Sequence, residues 1–156
     1  EACREPVVIW SKSPDLAAQQ IGNFAPTPFE LDGQRYASVE SFWQSLKFQE
    51  PADRLRVASL EGAEAKRAGT SQGYGATVMY EGQTILVGTW AHWNLMERAC
   101  RAKFAQNQAA RAALLGTGQR PLVHRVRQDS QTIPAVILAE IWMRIRKEFF
   151  DEASGA

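Results

Sequence analysis

Glu40, Gln44 and Lys47 stand at i, i+4 and i+7 in Ser38–Phe48, SVESFWQSLKF. On a helix this spacing puts a carboxylate, an amide and an amine in one stripe. Val39, Phe42, Trp43 and Leu46, at i, i+3, i+4 and i+7, make an adjoining apolar face. At about 100° per residue the polar stripe lies roughly a quarter-turn from the centre of that face, where core meets solvent. A stripe of this kind is often only the wet side of a helix. Two details favour chemistry. Glu40 and Lys47 are ~10 Å apart along the axis, too far for a simple i,i+4 ion pair. Trp43 and Phe48 flank them, so both groups can be desolvated and their pKa values displaced.

The rest of the chain narrows the chemistry by elimination. It has no H-E-x-x-H, no P-loop, no G-x-S-x-G and no C-x-x-C. His92 and His124 are its two histidines, too few for a metal site, and no metal or cofactor is expected. What remains is carboxylates and a lysine: Glu40, Lys47 and Asp129. That set suits cleavage of an N-glycosidic bond. The transition state has oxocarbenium character, and a carboxylate can stabilise it or carry a proton to the leaving base or from water. A lysine of lowered pKa can attack C1 of an opened ribose and form an imine. Trp43 or Phe24 can supply an aromatic wall for a base.

Composition sets the frame. At 156 residues, 45% hydrophobic and 22% charged, the chain reads as one domain, residues 1–150, with a fraying tail at 151–156. A net charge of +1 does not announce a nucleic-acid binder. Cys3 and Cys100 fit no metal spacing and no disulfide framework, which suggests a reducing, cytoplasmic setting. No apolar run reaches the ~18 residues of a membrane span, and nothing at the start reads as a signal peptide.

The elements that must position the stripe can be taken in order. Pro6–Trp10 reads as a strand, and Ser11–Gln20 as polar and turn-rich. Asn23–Pro28 is a loop fixed by its prolines, where Asn23 serves either as a turn former or as a ligand contact. Asp32-Gly33 turns one hairpin, and Ser38 is an N-cap for the helix behind it. Pro51–Arg67 reads as one helix stopped by Gly69, with Lys66 and Arg67 near its end. Those two residues complement the helix dipole or hold a phosphate. Gly73–Gly88 reads as a second hairpin, and its lone G-x-G is not a nucleotide fingerprint. Helices follow at 90–106, 108–115 and 135–150, the last with Trp142 in the core. Pro121–His124 is a short strand. The expected fold is mainly α with two small β-hairpins on one side.

One set of motifs carries a resemblance. Gly22-Asn23-Phe24, Pro28-Phe29, Leu31-Asp32-Gly33, Tyr36, Ser38-Val39-Glu40 and Gln44-x-x-Lys47-Phe48 resemble the NADAR, or YbiA-like, family in order and spacing. Met96–Phe104 with Gln106-Asn107 resembles that family's M..A..AKF.QN signature. The resemblance implies an orthogonal helical domain and an N-glycosidase. Some members remove ADP-ribose from guanine; others split ribosylamino-pyrimidine intermediates of riboflavin biosynthesis. It implies a catalytic set of Glu40, Lys47 and the late Asp129, with Asn23, Phe24, Trp43, Gln44, Arg67, Trp90 and His92 as substrate contacts. An ADP-ribosylated or ribosylated nucleobase, free or in nucleic acid, is the implied partner, with an ADP-ribosyltransferase toxin as its counterpart. A non-catalytic nucleotide-binding module is the alternative of another class.

The chain departs from the family pattern at four points. Thr70 follows Gly69 where a further basic residue is common, so a phosphate role rests on Arg67 or Lys66. Gly88 aligns with the family's Trp, and Trp90 takes that part after a shift of two residues. His92 stands where a lysine is common. Asp129–Pro134, DSQTIP, replaces a Trp-Gly loop.

Overall fold

A computed structural model describes residues 4–155; Cys3 lies outside the described residues. Strand β1 (Val7–Ile9) is followed by helix α1 (Leu16–Ile21). Hairpin β2 (Phe29–Leu31) and β3 (Gln34–Tyr36) leads into α2 (Val39–Ser45). Helices α3 (Pro51–Ala58) and α4 (Gly62–Gln72) precede the hairpin β4 (Thr77–Tyr80) and β5 (Gln83–Leu86). Helices α5 (Trp90–Gln106) and α6 (Gln108–Gly116), strand β6 (Leu122–His124) and helix α7 (Ala135–Ala153) complete the order.

The expectation of a mainly α fold is corrected by β1 and β6. They pair in parallel, Val7 with Leu122 and Ile9 with His124, so the architecture is α/β with two antiparallel hairpins beside a parallel pair. Each segment was legible as a strand. Their pairing was not, because it joins positions 115 residues apart and a parallel pair leaves no local turn signal.

Local chemistry explains most element boundaries. Ser38 Oγ accepts from Ser41 N at 3.1 Å and starts α2. The helix closes at Ser45, and tighter bonds from Lys47 N to Gln44 O and Phe48 N to Ser45 O carry the chain one turn further. Asp32-Gly33 and Glu81-Gly82 sit at positive φ, 51° and 80° in one turn and 48° and 76° in the other, as two-residue hairpin turns require. Residues 51–67 are not one helix. The chain breaks at Ser59–Glu61, α4 starts at Gly62, and Gly69 lies inside it rather than at its end. Gly62 is needed there, since a Cβ would come within 3.0 Å of the Phe24 backbone. Within the segment read as turn-rich, Leu16–Ile21 is helical, capped by Asp15 Oδ1 accepting from Ala17 N at 3.0 Å. Six residues are too few to display a helical period. Helix α7 runs to Ala153, three residues into the stretch read as a fraying tail.

The core gathers around α7 and α5. Trp142, Ile145, Phe104 and Ala99 are fully buried, and Phe42 of α2 joins them from across. Helix α2 is buried on every residue from Val39 to Ser45, which places the polar stripe inside the protein rather than at its edge.

Candidate active site

A cavity of about 800 Å³ opens between α2, the α1–β2 loop, α4 and the ends of β1 and β6. Glu40, Trp43, Gln44, Lys47, Asn23, Phe24 and Asp129 all line it. They come from three separate stretches of chain, and the fold brings them together.

Glu40 is the most constrained of them. Its side chain is 6% exposed, and Gln44 Nε2 donates to Glu40 Oε1 at 2.6 Å. Burial raises its pKa; the Gln44 bond and the charges of Lys66 and Lys47 oppose that rise. A carboxyl held this way keeps its proton to higher pH than a free one. Lys47 leaves the turn after α2 half-buried. Its Nζ donates to Gly69 O at 3.1 Å and lies 4.4 Å from the centre of the Tyr74 ring. Burial lowers its pKa, with Lys66 adding repulsion and Glu40 opposing.

Asn23 is positioned from both sides. Its carbonyl accepts from Glu40 N at 3.0 Å, which ties the loop to the first turn of α2. Lys103, from the AKF segment, is 1% exposed and donates Nζ to Ile21 O at 3.0 Å and Gly22 O at 2.8 Å, fixing the residue just before. Its partners are neutral carbonyls, and burial pushes its pKa down to about 7. The Asn23 side chain donates to Met96 Sδ at 3.6 Å, while its Oδ1 is buried without a partner. Gln44 Oε1 and the Tyr74 hydroxyl, from residues lining the same cavity, are also buried and unpartnered.

The aromatic wall is backed by a histidine. Trp43 stacks on His92 with ring centres 4.1 Å apart and planes 16° off parallel. His92 is fully buried, its Nδ1 accepts from Gly88 N at 3.1 Å, and burial lowers its pKa to about 4. It is a neutral brace behind the wall and does not line the cavity.

Arg67 and Trp90 join His92 outside the cavity lining, and Asp129 lies at its rim. Arg67 is exposed and outside the cavity; its neighbour Lys66 lines it. The two read alike in sequence, and helical phase on α4 separates them. Trp90 is 67% exposed and borders a smaller groove of about 280 Å³ with Trp93 and Arg144. Asp129 is exposed on the rim, and its Oδ1 accepts from Ser130 N at 3.0 Å and Ala135 N at 2.8 Å. That carboxylate shapes the start of α7, with Trp93 Nε1 donating to Thr132 O at 2.6 Å to hold the same loop.

Residues that sequence reasoning missed complete the lining: Trp10, Lys12, Tyr74, Arg125 and Arg127. Lys12, Lys47, Lys66, Arg125 and Arg127 are five cations around one cavity, and among the described residues none makes an ion pair with a carboxylate. Arg98, Arg101 and Arg144 on α5 and α7 show the contrast, since each is paired with a carboxylate. Unpaired cations over a buried carboxyl suit an anionic ligand with one bond held near Glu40. Among the described residues no group of three or more His, Cys, Asp or Glu is placed to hold a metal, and no helix is long and apolar enough to cross a membrane.

Comparisons with known proteins place the chain in a family and a fold. The family described as bacteriophage protein GP30.3 matches residues 15–146. The N-glycosidase YbiA of Shigella boydii serotype 4 and that of Escherichia coli K12 are each 28% identical over 111 residues, covering 70% of this chain. The match covers 64% of each YbiA, so the chain spans less than two thirds of the length of these relatives. An uncharacterized 17.1 kDa protein from the Gp30–rIII intergenic region of Enterobacteria phage T4 is 35% identical over 51 residues, 33% of this chain and 34% of its own. The NMR structure of E. coli YbiA superposes with a TM-score of 0.73 at 23% identity, covering 97% of this chain and 89% of that one, which establishes a shared fold. The chain therefore belongs to the bacteriophage protein GP30.3 family and is YbiA-like in sequence and fold.

Proposed function

We propose that this chain is an N-glycosidase that hydrolyses the bond between a nucleobase and an ADP-ribosyl or ribosyl-phosphate group, with ADP-ribosyl-guanine as the leading substrate. The observation that carries the reading is Glu40: a buried carboxyl, bonded to Gln44, in a cavity ringed by five cations that have no carboxylate partner among the described residues. The YbiA relatives named N-glycosidase support the bond type.

The residues divide the work. Trp43, braced by His92, takes the face of the leaving base. Lys66 and Arg127 take phosphate oxygens. Glu40 enters protonated and passes its proton to the base nitrogen as the bond to C1′ breaks, with the bonding pair leaving on the base. The ionised carboxylate then faces the oxocarbenium and accepts a proton from the water that attacks C1′, which restores Glu40 and yields the ribosyl hydroxyl and the free base. Lys47, half-desolvated, either holds the developing anion as an ammonium or attacks C1 of the opened ribose as an amine.

ADP-ribosyl transfer is the class of reaction that supplies such a substrate, so an ADP-ribosyltransferase is the counterpart this reading predicts. Mass spectrometry of the purified protein with ADP-ribosylated guanosine, ADP-ribosylated DNA and a ribosylamino-pyrimidine phosphate tests it. Release of guanine supports the leading substrate. Release from the pyrimidine conjugate alone moves the substrate to riboflavin intermediates. Binding of all three without turnover leaves a nucleotide-binding module and overturns the proposal.

A further inference from the structure

Half of the cavity wall belongs to neither Glu40 nor Trp43. Strands β1 and β6 run parallel, so their carboxyl ends emerge together, and carboxyl ends of parallel strands are where α/β folds place ligands. Trp10 and Lys12 follow β1; Arg125 and Arg127 follow β6; all four line the cavity. Arg125 N donates to Ile9 O at 2.9 Å, extending the strand ladder by one rung and locking the two ends in register. The Arg125 guanidinium lies 4.2 Å from the centre of the Trp10 ring. Among the described residues Lys12, Arg125 and Arg127 have no carboxylate within ion-pair distance.

We propose that this wall is a second subsite that takes a nucleobase carried on a diphosphate, the end of the substrate remote from the bond that breaks. An arginine layered on an indole presents a planar, cationic platform that attracts the π face of a base. Lys12 and Arg127 beside it supply donors to phosphate oxygens. A ribosyl monophosphate has no second ring for the platform, so the subsite selects the dinucleotide-like substrate over the smaller one. The assignment of the remote end rests on the N-glycosidase reading; the subsite itself rests on the wall.

Calorimetry with ADP and with ribose 5-phosphate tests it on the intact protein. ADP binds the wild type, and Glu40→Gln binds it equally. Trp10→Ala removes the ring that holds the Arg125 platform flat and weakens ADP by ~5-fold or more, while Trp10→Phe retains most of the affinity. Ribose 5-phosphate does not respond to Trp10→Ala. Trp10 is partly buried, so a melting curve accompanies the variant. The exposed pair Lys12→Gln with Arg127→Gln carries the test independently, and its ADP affinity falls with a shallower salt dependence. ADP affinity unchanged in both variants overturns the subsite. So does a protein that cleaves ribosyl-phosphate conjugates yet binds no ADP, and in that case the N-glycosidase reading survives. ADP binding that depends on Trp10 without turnover of any conjugate keeps the subsite and removes the N-glycosidase reading.

Discussion

Gly69 on α4 leaves no room for a side chain beneath Gln44: a Cβ there would overlap the carboxamide oxygen and reach within 3.1 Å of Gln44 Cβ. The same carboxamide donates to Glu40 at 2.6 Å, so the small residue on one helix sets the partner of the carboxyl on another. Gly69→Ala is expected to push Gln44 away from Glu40. It should lower kcat and cost ~1–3 kcal/mol of stability, the range for overpacking. Urea unfolding beside steady-state kinetics reads both. A variant that matches wild type in each measurement shows that Gln44 has another place to go.

Glu40→Gln should lower kcat by ~10²-fold or more, as expected for loss of a proton-transfer group. Its stability effect depends on pH. The carboxyl has a folded pKa above its ordinary 4.5, so the folded state favours the protonated form. Its contribution is fully present at low pH and is lost as pH rises through the raised folded pKa. The variant lacks that loss. Melting temperatures taken from about pH 5 to about pH 8 should therefore move in favour of Glu40→Gln as pH increases. A pH-independent difference would mean that Glu40 titrates as it does in the unfolded chain.

Lys47 can be assigned by trapping. Borohydride added during turnover fixes an imine as an irreversible ribosyl-derived mass increment on the peptide holding Lys47. Tyr74 below the amine and Gly69 O beside it both suit an ammonium, whereas burial and Lys66 favour the neutral amine. Lys47→Arg keeps the charge and removes the amine. Retained activity with no trapped adduct assigns Lys47 to electrostatics and excludes the covalent route.

Lys103→Met should raise KM more than it lowers kcat, because it frees the carbonyls of Ile21 and Gly22 that set Asn23. The two abandoned acceptors cost ~1–3 kcal/mol each if water does not reach them. Lys103 has a folded pKa of about 7 against 10.5 in the unfolded chain, so between those values the unfolded state binds more protons. Wild-type stability accordingly gains from this residue as pH rises above about 7, and the methionine variant gains nothing there. Urea midpoints at two pH values on either side of neutrality give the comparison. Parallel slopes for the two proteins would place Lys103 at an ordinary pKa.

The local parts of this molecule were readable in its residues. Ser38 as a cap, the two hairpin turns, the α5 boundaries, the start of α7 and the core place of Trp142 follow from nearest-neighbour rules. The i, i+4, i+7 stripe also led to Glu40, Gln44 and Lys47, which line one cavity. Its setting was misread as the boundary of a half-wet helix, because burial of the Glu40 side comes from α4 packing through Gly69 and not from α2 itself. The other half of the cavity was invisible for a similar reason. Trp10 and Arg125 meet through a parallel pairing that no window along the chain contains. Arg67 sits one residue out of phase with Lys66, which lines the cavity, and Trp90 at the exposed start of α5 borders a separate groove.

The pairing of Val7 with Leu122 also orders events in time. Closing a connection 115 residues long is slow and unrewarded until the intervening helices have packed, so β1 and β6 belong to the late part of folding. A chain that has not yet paired β1 with β6 can hold Glu40, Gln44 and Lys47 on adjacent turns of α2 and the turn after it. It has no opposite wall to confine a substrate against them. On the N-glycosidase reading, activity should arrive abruptly, with the last pairing, and a limited proteolytic cut between Gly118 and Leu122 should abolish turnover long before it unfolds α2 and its neighbours.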